Sequence, residues 1–296
     1  GSRWKAKERF WNLCANRRGR RGRGDQLQTF RAHLLLLGQT GHDLVFLRAV
    51  GIHAVLVHGG GPMITKKLAQ IGKTSAFVDG MRVTDHETIR VVSQELEAVN
   101  HRLVTQVKAL GGRAEGLVPT RRAVIADPHP RAEELGFVGS VRTIRPAPIR
   151  RAFQHHAIPV LSPVGIHESG QLYNINADEV ASHVAVQLKA AKLVLLTNVR
   201  GIIRHPNDAG SLISTLSVKE AKLLIERGVI QEGMIPKVQA CIDALRRGVK
   251  KTHIIDASLP HAMLLEIFTK QGIGTEIVRS LDSHHGLRPW TRSGFR

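Results

Sequence analysis

The chain of 296 residues carries 43 Lys and Arg against 24 Asp and Glu, a formal net charge of +19, with 42% hydrophobic but only 4% aromatic residues. That apolar share excludes a disordered polycation. Two cysteines, Cys14 and Cys241, exclude a disulfide framework and a cysteine-ligated metal cluster, and charges interrupt every apolar run before the ~18 residues of a membrane span.

Residues 1–24 hold nine basic residues and one acid and end in RRGRRGRG; with the tail at 280–296 they carry about half of the excess charge. Such a run reads as a solvated tail, as a phosphate-neutralising segment for nucleic acid, or as an Arg-rich, acid-poor organelle-targeting segment. No aromatic interleaves RRGRRGRG, which argues against stacking on a single strand. DLVFLRAVG (43–51) reads as the end of a helix, and HAVLVHGGGP (53–62) as a fully buried strand running into a glycine turn. MITKKLAQIG (63–72) sets Ile64, Leu68 and Ile71 on one helical face stopped by Gly72. A long amphipathic helix is predicted over 84–110, with Thr84 and Glu87 in capping-box spacing and Gly111-Gly112 as its stop.

AVIA (123–126), FVGSV (137–141) and AIPVLSPVG (157–165) read as strands, the last a single buried one. Downstream, helices over 176–191, 217–228 (capped by Ser217, ended by Gly228), 236–248 and 261–272 alternate with strands over 192–199 and 252–256. Short apolar strands alternating with helices predict a parallel sheet covered on both faces.

Four segments carry chemistry. His58-Gly59-Gly60-Gly61-Pro62 lies between strand and helix, where glycines let backbone N–H groups approach an anion at the positive helix end; the plain alternative is a tight turn. It matches neither of the standard nucleotide fingerprints. Arg82, in GMRVT, is either one side of a surface ion pair or a guanidinium fork for a carboxylate. Asn174, Asn176 and Asp178 stand at alternate positions before a helix, as caps or as a polar cluster. Lys237 opposes a helix dipole in a first turn, which contact with a phosphate would explain. His53 and His155 read as structural, and with no His/Cys/Asp cluster at ligand spacing no protein-built metal site is expected.

In this order, VLVHGGGP, FVDGMRVTD, YNINADEVA, KLVLLTNVRGI, GVIQEGMIPKV and HAMLLEIFTKQGIGTEI closely resemble the N-acetylglutamate kinases of the amino acid kinase family, over about residues 43–279. The resemblance implies an α/β fold, a three-layer αβα sandwich with a mostly parallel central sheet. It divides the chain into an atypical basic segment (1–42), an acetylglutamate-binding N-lobe (43–175), an ATP-binding C-lobe (176–279) and a tail (280–296). The implied reaction is ATP-dependent phosphorylation of the γ-carboxylate of N-acetyl-L-glutamate, in arginine biosynthesis, with Mg²⁺ entering as part of the ATP complex. Gly60 and Gly61 would offer N–H groups to the reacting carboxylate and phosphoryl, Arg82 would fork the α-carboxylate, and Asn174 would hold the acetamido group. Asp178 would orient lysines, Lys237 would stabilise the transferring phosphoryl, and Thr197, Asn198 and Gly201 would lie in the nucleotide loop. Glu266 and Gly274 fall in the segment that matches the inhibitor site of arginine-sensitive members.

The same resemblance implies a cytoplasmic homodimer with no membrane or nucleic-acid partner. The alternatives are a plastid or mitochondrial setting, and a hexamer linked by WKAKERFWNLCA (4–15), an amphipathic stretch with Trp4, Phe10, Trp11 and Leu13 apolar. Three departures stand out. The family's first strand carries a Lys before two glycines, and residues 25–42 contain no Lys; VPTRRAV replaces a polar glycine-rich loop after GGRAEGL (111–117); and Glu232 stands where the family has a small residue. Loss of one phosphate-bridging lysine predicts a turnover lowered on the order of 10²–10³. Arg18, Arg20 or Arg121 could supply a replacement charge. The competing reading is a catalytically impaired member serving as a basic scaffold or RNA-associated protein.

Overall fold

The helix predicted to end at Gly51 is α1, residues 39–49, in a computed structural model that describes residues 39–205, 208–231, 233–269 and 272–280. The Arg/Gly run with Arg18 and Arg20, the 4–15 stretch, Glu232, the tail beyond 280 and nearly all of the segment searched for the family's Lys lie outside the described residues. The other helices are α2 (Gly61–Gln70), α3 (His86–Ala109), α4 (Ala132–Leu135), α5 (Pro146–Gln154), α6 (Ala177–Gln187), α7 (Val218–Glu226), α8 (Met234–Arg246) and α9 (Ala262–Phe268).

One sheet is wholly parallel, in the order β1 (Leu56–Val57), β7 (Ile158–Leu161), β4 (Ala114–Leu117), with Leu56 opposite Val160 and Ala114 opposite Ile158. A second runs β10 (Lys192–Thr197), β12 (Lys251–Asp256), β13 (Thr275–Val278), β11 (Thr215–Ser217); β10 and β12 are parallel along six pairs, whereas β13 is antiparallel to β12. A mixed sheet orders β6 (Gly139–Ile144), β5 (Val124–Pro128), β8 (Val164–Ile166) and β9 (Leu172–Asn174). The hairpin β2 (Phe77–Val78) and β3 (Met81–Arg82) turns through Asp79 at φ 49° and Gly80 at φ 76°, the doubly positive pair that a two-residue hairpin needs.

Alternation along β10 shows how the layers form. Leu193 and Leu195 pack with Val238, Cys241, Ile242 and Leu245 of α8, whereas Val194 and Leu196 pack with Leu44 and Leu47 of α1 and Leu103 and Val107 of α3. Opposite faces of one strand thus meet different helix layers, as an αβα arrangement requires. The described residues fall in one compact unit.

Several local expectations are corrected. The strand expected over 53–62 shrinks to two half-buried residues, because among the described residues β1 has a partner only in β7. AIPVLSPVG is not one strand: it breaks at Ser162-Pro163 into β7 and β8, which belong to different sheets. The long helix is capped by Asp85, whose carboxylate accepts from the Thr88 N–H at 2.8 Å. The Thr84 hydroxyl instead donates to the Arg82 carbonyl, and Glu87 pairs with Lys73, so the expected capping box does not form. Ile71 lies past the end of α2 and is exposed. The expected box geometry does appear at α7, where Ser217 and Glu220 exchange hydrogen bonds.

Candidate active site

The glycine turn follows β1 and opens α2, with Gly60 as the N-cap residue and Pro62 in the first turn. No side chain caps this helix and its first turn holds no acid, so its positive end is left for an anion. A Cβ on Gly60 would come within 2.5 Å of Leu96 Cδ2 on α3, while Cβ atoms on Gly59 and Gly61 would meet nothing within 4 Å. The turn therefore lies flat against α3 at Gly60 and is open at its flanks.

Arg82, 7% exposed, reaches back to this turn from β3. Its guanidinium donates to the Gly61 carbonyl at 3.2 Å, to Thr65 Oγ1 at 2.7 Å and to Ser75 Oγ, and lies 4.6 Å from the centroid of the Phe77 ring. Among the described residues no carboxylate pairs with it. Burial pulls its pKa down, but a guanidinium remains a cation, so the site holds a desolvated charge ready for a carboxylate. Asn174, at the end of β9, donates through Nδ2 to Thr84 Oγ1 at 3.3 Å, and Thr84 donates to the Arg82 carbonyl at 2.7 Å. Gly61, Arg82 and Asn174 are thereby brought together.

Four residues beyond Asn174, Asp178 opens α6, where the Asn176 side chain accepts the Asp178 N–H at 2.8 Å. Both Asp178 oxygens accept from Lys237 Nζ of α8, at 3.0 and 3.1 Å. Like α2, α8 has no side-chain cap and no acid in its first turn, and Asp178 offsets the repulsion between Lys237 and the helix dipole. Among the described residues Lys237 is the basic partner of Asp178, whereas Arg121, exposed on a 3-10 turn, has no ion-pair partner there. Buried Cys241 lies on the same helix, its thiol pushed up to about 12 by burial.

Thr197 ends β10, its hydroxyl 3.4 Å from the exposed Asn198 side chain. Gly201, at φ 139°, is buried against Thr275, whose hydroxyl would lie 2.6 Å from a Cβ there. The glycine turn follows the carboxyl end of β1 and Thr197 forms that of β10, both in parallel pairs, and this is the edge at which open α/β sheets bind ligands. Glu266 is buried, beside His253 Nδ1 at 2.6 Å and accepting the Ile273 N–H at 2.9 Å; Gly274 packs against the Ile254 carbonyl. His53 stacks edge-on to Phe153, and His155 lies 3.7 Å from Glu115.

Among the described residues no group of three or more His, Cys, Asp or Glu is placed to hold a metal ion, and no helix is long and apolar enough to cross a membrane. Sequence reasoning passed over Thr65, Ser75 and Asn100, which the fold brings to Arg82 and His58. Only Thr84 carried a signal, since its alternation with Arg82 along an extended segment links the two.

A glycine turn at an uncapped helix start, a buried arginine and a lysine–aspartate pair on an αβα fold are the parts that a phosphotransferase of small molecules uses. The chain belongs to the amino acid kinase family, whose model matches residues 39–256. It is 48% identical over 239 residues to an acetylglutamate kinase of Desulforamulus reducens, with 80% of this chain and 83% of that protein covered. It is 46% identical over 250 residues to an acetylglutamate kinase of Synechococcus elongatus, with 84% and 82% covered. Among solved structures it resembles the N-acetylglutamate synthase of Neisseria gonorrhoeae complexed with coenzyme A and N-acetyl-glutamate, with a TM-score of 0.74 at 28% identity. The match covers 83% of this chain but 56% of that longer one. The carbamate kinase of Giardia lamblia bound to AMP-PNP shares the fold, with a TM-score of 0.63 at 16% identity over 90% of this chain and 94% of that one. The scaffold or RNA-associated alternative finds no support in these relatives.

Proposed function

We propose that the protein transfers the γ-phosphoryl group of ATP to the γ-carboxylate of N-acetyl-L-glutamate, giving N-acetylglutamyl 5-phosphate and ADP in arginine biosynthesis. The observation that carries this reading is Arg82, a buried cation that has no carboxylate partner among the described residues and donates to the glycine turn itself. The acetylglutamate kinases at 46–48% identity support it.

The acceptor carboxylate is ionised at neutral pH, so no general base is needed. A carboxylate oxygen forms the new bond to phosphorus as the bond to the β–γ bridging oxygen breaks, and that electron pair leaves on ADP. What the protein supplies is positioning and charge neutralisation. Arg82 holds the α-carboxylate, Asn174 the acetamido group, and the N–H groups of Gly60 and Gly61 the reacting oxygens. Lys237, oriented by Asp178, neutralises charge on the transferring phosphoryl. Mg²⁺ arrives with the ATP phosphates as substrate. Thr197, Asn198 and Gly201 border the nucleotide.

A cytoplasmic homodimer is part of the proposal, as is arginine feedback near Glu266 and Gly274, where an inhibitor guanidinium would compete with His253 for the Glu266 carboxylate. The experiment is acetylglutamate-dependent ADP release from Mg-ATP. Turnover is expected in the unaltered protein, below that of relatives that carry the first-strand lysine. Lys237→Ala should lower kcat on the order of 10²–10³. ADP release that is absent, or indifferent to acetylglutamate, overturns the reading.

A further inference from the structure

We infer that His58 and Asn100 are positioning residues that set the Gly59–Gly60 peptide so that the Gly60 N–H faces the substrate cleft. The inference rests on the kinase reading only in what that N–H meets. The peptide orientation stands on geometry alone.

His58 is 5% exposed, between β1 and α3. Its Nδ1 lies 3.0 Å from the Gly59 carbonyl oxygen, and its Nε2 lies 3.2 Å from Asn100 Nδ2. A carbonyl oxygen only accepts, so Nδ1 carries the proton. The Asn100 amino group is identified by its other partner, the Val160 carbonyl at 2.8 Å, so Nε2 of His58 accepts. Each ring nitrogen therefore has one role, and the ring is a single neutral tautomer. Burial agrees, holding its pKa down to about 4.

In a trans peptide the C=O and N–H of one unit point in opposite directions, and the chain has no cis peptide among its described residues. Drawing the Gly59 oxygen onto the buried imidazole turns the Gly60 N–H the other way, toward the open side of the turn. The next peptide is fixed by the helix, since the Gly60 carbonyl accepts the Ile64 N–H at 3.0 Å. The Gly59–Gly60 peptide has no such tie, and His58 is its hydrogen-bonding partner among the described residues. Glycines on both sides leave rotation of that unit sterically cheap. Asn100 completes the clamp: its Oδ1 occupies the space where Gly116 would carry a Cβ, so β4 leaves room for the amide.

Crystal structures of His58→Leu and His58→Gln, read beside steady-state kinetics, test this. In His58→Leu the Gly59 carbonyl should be rotated or split between two orientations. kcat should fall on the order of 10–10² with little change in the KM for ATP, because the lost donor acts on the reacting carboxylate. His58→Gln keeps an N–H donor in reach of the Gly59 oxygen and should recover most of both. An unrotated carbonyl in His58→Leu, with kcat within about twofold, overturns the inference. Should His58→Leu fail to fold, His58→Phe, which keeps a planar ring but carries no ring nitrogen, should give the same rotation and kcat loss; an unmoved peptide there overturns it equally. An inactive parent protein would refute the kinase reading while leaving the peptide orientation to be read in the crystals.

Discussion

At the scale of the residue, the buried charge of Arg82 decides most. A guanidinium 7% exposed, held by two hydroxyls and a carbonyl, has given up hydration without gaining a counter-ion among the described residues. Such a group adds little to the stability of the unliganded fold but much to recognition of an anion. Arg82→Gln should therefore shift the stability of the free protein by less than about 1 kcal/mol while lowering kcat/KM for acetylglutamate about 10²-fold, near the 3 kcal/mol of a charged hydrogen bond. Paired thermal unfolding with and without acetylglutamate checks it: the ligand-induced rise in Tm should vanish. The residue type and its place before a helix were legible in GMRVT. Its lack of a carboxylate partner was not, because that depends on Thr65, Ser75 and Gly61, which reach it across seven or more residues.

At the scale of the element, punctuation was easier to see than contact. Gly72, Gly111 and Gly228 end helices with positive φ, as their positions suggested. The start of α3 was misjudged by one residue, since Thr84 turns its hydroxyl to the Arg82 carbonyl and leaves the cap to Asp85. Lys73 and, next, the Thr88 N–H hold the Asp85 carboxyl well below the usual carboxylate range. A depressed carboxyl stabilises the folded state at pH values above its ordinary pKa, and the contribution is lost as the pH falls. Asp85→Ala should thus cost about 1 kcal/mol in urea unfolding at neutral pH, and the gap to the parent protein should narrow below pH ~4. A gap independent of pH would assign the loss to something other than the ionised cap. The Asp79-Gly80 hairpin carried a readable turn signal that two-residue strands did not reinforce.

At the scale of the whole molecule, a buried joint ties α1 to α9. Asp43, 2% exposed, lies 2.8 Å from Nδ1 of His261, which stands at the start of α9, 218 residues away. Asp43→Ala strips the His261 ring of its buried partner and should lower stability by about 2 kcal/mol in denaturant unfolding, with the KM for acetylglutamate unchanged because the joint lies outside the site. The sequence by itself determined the family, through six ordered motifs, the amphipathic faces of α2 and α3, and the glycine turn before a helix, since these are patterns within one turn or one strand. Tertiary structure alone decided that Lys237 meets Asp178 across 59 residues, that Asn174 reaches Thr84 across 90, and that Asn100 reaches His58 across 42. It also decided that an apparent single strand over 157–165 serves two sheets. Local periodicity reports only what neighbours along the chain can bury together; which distant polar group fills a given hydrogen bond is settled when the layers pack and water leaves.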